Sequence, residues 1–154
     1  NSVYRPYSFL SYHASLSDLW DTSWFSVLEF TKIWFDISIQ QFLICRSKDF
    51  FLWNPQLNGM TASVEFFVRV DDIQPSRIIY ARKSLDSDFL AIQHSNIQLS
   101  VLHIESKKRW KIEIKCPEDN RIVHSGIVWS EHGGKSQDLV IITNMGLELY
   151  KVSA

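Results

Sequence analysis

Gly133, Gly134, Lys135 and Ser136 form the first run in this sequence that suggests a chemistry. A glycine-rich loop ending in Lys-Ser can cradle a phosphate with its backbone N–H groups, while the lysine meets the charge. That motif also requires a glycine at position 129 and a helix afterwards. Position 129 is Trp129, and Leu139 to Ile142 read as a strand. The run therefore reads as an inter-strand loop. Cys116, His124 and His132 carry metal-binding atoms, but their wide, even spacing matches no compact zinc pattern and no fourth ligand stands beside them. His94 and His103 fall at the two ends of one expected hairpin. Asp71 with Asp72, and Asp86 with Asp88, are carboxylate pairs in turns. Acid–base catalysis needs two carboxyl groups facing one pocket with separated pKa values. Turn aspartates more often bond their own backbone. No Gly-x-Ser-x-Gly nucleophile elbow occurs. We therefore assign no catalytic, cofactor-binding or metal-binding residue, expect no cofactor and no small-molecule ligand, and do not read the chain as an enzyme.

The bulk composition points the same way. Lys and Arg total 16 against 17 Asp and Glu, a net charge of −1. Such a balance leaves no electrostatic footprint for nucleic acid or for an anionic membrane surface. Lys107, Lys108 and Arg109 beside Trp110 then read as a solvated hairpin tip. The two cysteines, Cys45 and Cys116, are far apart and make no secreted disulfide framework, so we expect both reduced in a cytosolic protein. The chain opens on Asn1 and is expected to be part of a longer protein. No leader peptide or membrane span is expected, because Asp18, Asp21, Glu29 and Lys32 interrupt the apolar-rich stretch from Leu16 to Phe35.

The elements that would carry any site are short strands. From residue 31 onward, apolar runs alternate with turn residues. Phe42 to Cys45 leads through Arg46-Ser47-Lys48-Asp49 into Phe50 to Trp53, which Asn54-Pro55 ends. Val64 to Val70 follows the loop at Asn58-Gly59. The order recurs with strands at 77–81, 89–93, 97–104 and 110–115, and again with 122–129, 139–142 and 147–152. The second strand of each round starts at Phe42, Phe89 and Leu139. Four strands in each 40–50 residues or so is the period of a propeller blade. Asn96, Asn144 and Gly146 can supply positive φ in the hairpins. The chain is thus expected to be all-β, with about three four-stranded blades of a WD40-like propeller. A β-sandwich of about ten strands is the alternative. Residues 1–30 stand apart as an atypical segment. There Leu16, Leu19, Trp20, Trp24, Val27 and Leu28 fall on one face of a helix that Ser15 or Ser17 could cap. Residues 31–154 are the propeller part.

Two segments carry a family resemblance. Ser84-Leu85-Asp86-Ser87-Asp88-Phe89-Leu90-Ala91-Ile92-Gln93 is one. Gly126-Ile127-Val128-Trp129, followed by residues 138–150, is the other. Both resemble the N-terminal propeller of the regulator of the Mon-one–Ccz-one complex, the colon-cancer-associated Mic-one-like family. Trp34-Phe35-Asp36 and Phe51-Leu52-Trp53 are similar to its first blade. The resemblance spans roughly residues 31–152, and tryptophan–aspartate repeat signatures are absent.

This resemblance implies a non-catalytic subunit of an assembly that exchanges nucleotide on a Rab-seven type GTPase. The setting implied is the late endosome, lysosome or vacuole, with a role in trafficking and autophagy and with the Mon-one–Ccz-one proteins as partners. No contact residue can be carried over, because the matching motifs are expected core strands. Ile92, Trp129, Ile141 and Leu149 are expected between sheets. The loops at 130–137 and 73–77 are the surface candidates by position. The competing class is a lectin-like sandwich using Trp20, Trp24 or Trp110.

Overall fold

The computed structural model describes residues 31–36, 41–54, 63–84, 88–130 and 136–153. The expected helix within residues 1–30 and the turn at Asn58-Gly59 lie outside these. Eleven strands form three antiparallel sheets among the described residues, and in each sheet every strand pairs with its neighbour in sequence. The chain divides into two compact units, Asn1–Val70 and Asp71–Ala154.

The first unit holds the sheet β1 (Thr31–Asp36), β2 (Gln41–Arg46), β3 (Asp49–Asn54) and β4 (Ser63–Arg69), in that order. Leu43, Ile44, Cys45, Phe50, Trp53 and Val68 are buried. Phe42 anchors an aromatic row, 4.9 Å from Phe35 on one side and 4.9 Å from Trp53 on the other. Such tilted pairs add to area burial. The β2–β3 hairpin closes on two residues, since Arg46 faces Asp49. Ser47 takes φ 57° there, a conformation that L-residues adopt at a cost. A bulge at Phe67 breaks the β3–β4 register between Phe50 and Phe51.

The second unit begins with a 3-10 turn at Pro75–Arg77, closed by the Ile78 N–H on the Pro75 carbonyl. The strand expected at 77–81 therefore starts later, as β5 (Tyr80–Lys83). Proline at the first turn position presets φ for the turn and delays the extended run. β5 pairs with β6 (Phe89–Gln93), then β7 (Gln98–His103) and β8 (Arg109–Glu113). Every residue of β6 is buried, as expected of a strand covered on both faces. The third sheet orders β11 (Gly146–Ser153), β10 (Ser136–Thr143) and β9 (Ile122–Ser130), three strands among the described residues.

Within this unit the second and third sheets share one core. Phe89, Ala91, Leu99 and Val101 on one side meet Ile127, Trp129, Leu139 and Ile141 on the other. Phe89 stacks on Trp129 at 5.8 Å. The end strands β5 and β9 are also tied by polar contacts. The Trp129 indole N–H donates to the Arg82 carbonyl at 2.9 Å, and the Arg82 guanidinium donates to the Ile127 carbonyl at 3.1 Å. The indole N–H of buried Trp129 thus has a partner, which is what makes a buried Trp tolerable.

Candidate functional site

Among the described residues, those singled out for chemistry do not come together in one site. Gly133 to Lys135, His132 and Asp86 lie outside the described residues, and Ser136 opens a strand where a phosphate loop requires a helix. His94 Nε2 lies 3.3 Å from the Ser100 hydroxyl, whereas His103 Nδ1 pairs with Ser106 at 2.7 Å. Each histidine thus serves its own turn. His94 is held below the usual histidine range, first by burial and then by the nearby cations Lys111 and Arg109. Asp72 is bonded by the Arg109 guanidinium, which holds its carboxyl below the usual range. Ser84 is buried, and its hydroxyl accepts the Phe89 N–H at 3.0 Å. Burial pushes the Cys45 thiol up to about 12, so it is a core residue without thiolate character at neutral pH. Cys116 is exposed. Among the described residues, no group of three or more His, Cys, Asp or Glu is placed to hold a metal. No helix among them is long and apolar enough to cross a membrane.

The turn asparagines work differently from expectation. Positive φ falls on Ser47, Lys107, Cys116, Ser125 and Gly146, and not on Asn96 or Asn144. Asn144 uses its side chain instead. Its Oδ1 accepts the Arg121 N–H at 2.7 Å and its Nδ2 donates to the Asp119 carbonyl at 3.2 Å. The β10–β11 hairpin is thereby clamped to the loop that precedes β9. The backbone strain moves to Gly146, whose φ of 145° suits a residue without Cβ.

Beside this clamp lies a groove of about 340 Å3, bordered by Lys115, Cys116, Asn120, Met145 and Leu147 with Tyr150 among its walls. Glu148 organises it. One carboxylate oxygen accepts the Lys115 backbone N–H at 2.9 Å and the other accepts the Tyr150 hydroxyl at 2.7 Å. Burial, then this bond to a carboxylate, pushes the Tyr150 hydroxyl up to about 12. The groove therefore offers a phenol that keeps its proton at neutral pH and a carboxylate bonded at both oxygens.

Ile92, Trp129 and Ile141 are buried, as expected of core strands, but Leu149 is 67% exposed. The physical reason is the period of two along β11. Val152 points into the core, so Leu147 and Leu149 point away from it. Both parities of this strand carry apolar residues, so the sequence alone does not say which face is inside. Met145 and Leu147 are exposed too, at 62% and 71%. Of the two loops proposed as surface, residues 73–77 are half-buried to exposed. Residues 131–135 lie outside the described part, and Gln137 is buried. Trp110 is half-buried, packed near Phe89 with the Lys108 ammonium 5.2 Å from its ring centre. Trp20 and Trp24 lie outside the described residues.

Compared with known proteins, residues 33–154 match the family model described as the regulator of MON1-CCZ1 complex, N-terminal. No curated protein matches the sequence.

Proposed function

The chain belongs to the regulator of MON1-CCZ1 complex family, as its N-terminal region, and from that premise we propose that it is a non-catalytic interaction module of the MON1-CCZ1 assembly. The observation that carries this reading is the family match over residues 33–154, which covers all the sheets but the first two residues of β1. We read the three sheets as successive blades of a WD40-like β-propeller. Each is a simple meander of consecutive strands, and the second and third stack face to face through their apolar sides. In a sandwich of Greek-key type, strands would return to an earlier sheet. A propeller suits a binding subunit because rigid blades hold loop tips and edges on which a partner can bury a standard-sized interface.

The reading extends to the assembly's work. The module would support nucleotide exchange on a Rab-seven type GTPase from the cytoplasmic side of late endosomes, lysosomes or the vacuole, in trafficking and autophagy. The lectin-like alternative gains nothing from Trp110, whose ring is taken up by Phe89 and Lys108.

The test is co-precipitation of the full-length parent protein with the purified MON1-CCZ1 pair, with and without residues 31–152. Loss of capture on deletion, with the remainder still folded by circular dichroism, is the expected result. Undiminished capture would remove this region from the interface. Absence of capture by the intact protein would overturn the reading altogether.

A further inference from the structure

The outer edge of the second sheet carries a charge pattern that the core does not explain. β8 has β7 as its strand partner among the described residues. The His103 N–H bonds the Lys108 carbonyl and the Ile114 N–H bonds the Ile97 carbonyl. Hydrogen-bonded pairs alternate along an antiparallel ladder, so Lys108, Trp110, Ile112 and Ile114 spend their backbone groups on β7. Arg109, Lys111 and Glu113 turn theirs to the outside edge. The same outward-bonding residues bear Arg109 and Lys111, and exposed Lys107, Lys108 and Lys115 flank them. The local balance is strongly positive in a chain whose net charge is −1.

We propose that the outer edge of β8 is a docking site for an extended, acidic segment of a partner protein, which adds to the sheet as a further strand. Main-chain bonds to Arg109, Lys111 and Glu113 give the affinity, and a carboxylate opposite Lys111 gives the register. Two observations favour this occupant. A carboxylate already sits against this edge, because Asp72 pairs with Arg109. The cationic field also reaches across the sheet, since Lys111 and Arg109 help to hold His94 below its ordinary range. A second copy of the same edge would bring cations against cations, which is how proteins keep edges from self-pairing. A flat anionic membrane could meet the cations but would leave the outward backbone groups of Arg109, Lys111 and Glu113 without a strand to bond, whereas an extended acidic segment meets both. The proposal goes beyond the functional reading above and does not require the partner to be MON1 or CCZ1.

The experiment uses the whole chain and a labelled nine-residue peptide alternating Glu with Val and Thr, followed by fluorescence anisotropy and amide hydrogen exchange. Expected are saturable binding that weakens with salt and slowed exchange at the Arg109, Lys111 and Glu113 amides. A loss of about tenfold in affinity is expected in Lys111→Glu, whose side chain is exposed and whose melting curve is compared with the parent's to show that the fold is kept. A peptide of the same charge with prolines at alternate positions cannot pair with the ladder. Equal binding of that peptide would overturn the proposal, as would unchanged affinity in K111E. Binding only to phosphatidylserine-containing vesicles would overturn it in favour of a lipid surface.

Discussion

Gly126→Ala reverses the usual sign of a glycine-to-alanine change. β9 and β10 pair with Ile127 opposite Ile141, and then with Ile122 opposite Thr143. Residues 123–126 therefore bulge opposite Ile142, with Ser125 at φ 56°. A Cβ on Gly126 would stand 2.6 Å from the Ile142 carbonyl oxygen and 2.9 Å from the Val123 carbonyl oxygen. Both are backbone atoms, so no side chain can swing aside. Replacing glycine by alanine normally stabilises by about 0.4–1 kcal/mol through the unfolded chain. Overpacking against a fixed neighbour costs about 1–3 kcal/mol. The clash wins, and a net loss of about 1–2 kcal/mol is expected. In a unit of this size each kcal/mol lowers the melting temperature by roughly 4–8 °C. Thermal unfolding followed by tryptophan emission measures the shift, with Trp129 in the affected core. Gly146→Ala is the companion, since nothing lies within 4 Å of its added Cβ and only its φ of +145° opposes the change. A Gly126→Ala protein that melts at or above the parent temperature would refute the close approach of β9 to β10.

Four further outcomes are expected. Ser47→Gly relieves the positive φ in the β2–β3 turn and should raise stability by about 0.5–1 kcal/mol, read from urea midpoints. Trp129→Phe keeps the stacking on Phe89 but strips the Arg82 carbonyl of its donor, and should cost about 1–3 kcal/mol in the same assay. In the folded chain a maleimide at pH 8 should label Cys116 and leave Cys45 untouched until denaturant is added, as mass spectrometry would show. Tyr150 shifts upward from 10.0 to about 12, so the folded state holds its proton where the unfolded state releases it. Its contribution is full below pH 10, is lost as pH rises towards 12, and should vanish from the alkaline unfolding curve of Tyr150→Phe.

The strands were legible because their signals are local. The turn at Arg46 to Asp49, the run Phe89 to Gln93 and the hairpin around Asn144 all fall where the residue types direct them. Facing was harder to read. Aligning Phe89 with Leu139 joins residues on opposite faces, because Phe89 looks toward the third sheet and Leu139 toward the second. With a side-chain period of two, a repeat aligned one residue off reverses every face. Leu149 misled for the same reason. The start of β5 depended on a proline-initiated turn whose residues also suit a strand. The clamp made by Asn144 was hidden, since asparagine serves equally as a left-handed residue and as a side-chain bridge. The β8 edge could be seen only as a cluster of cations until the ladder showed which residues bond outward. The groove at Glu148 joins residues more than thirty positions apart, Lys115 with Glu148, and no local pattern predicts that.

The pairing of each strand with its sequence neighbour also bears on how the protein is made. No ladder in these sheets waits for a distant segment. Loop-closure entropy is therefore met in small steps, and hairpins can form before much later chain exists. During synthesis the β1–β4 sheet can zip up while the residues of the second unit are still being added. The second sheet then presents Phe89, Ala91, Leu99 and Val101 as a bare apolar face until β9 and β10 arrive to cover it. That interval, after β8 and before Trp129 docks, is the stage of biogenesis at which a chaperone would find most to hold.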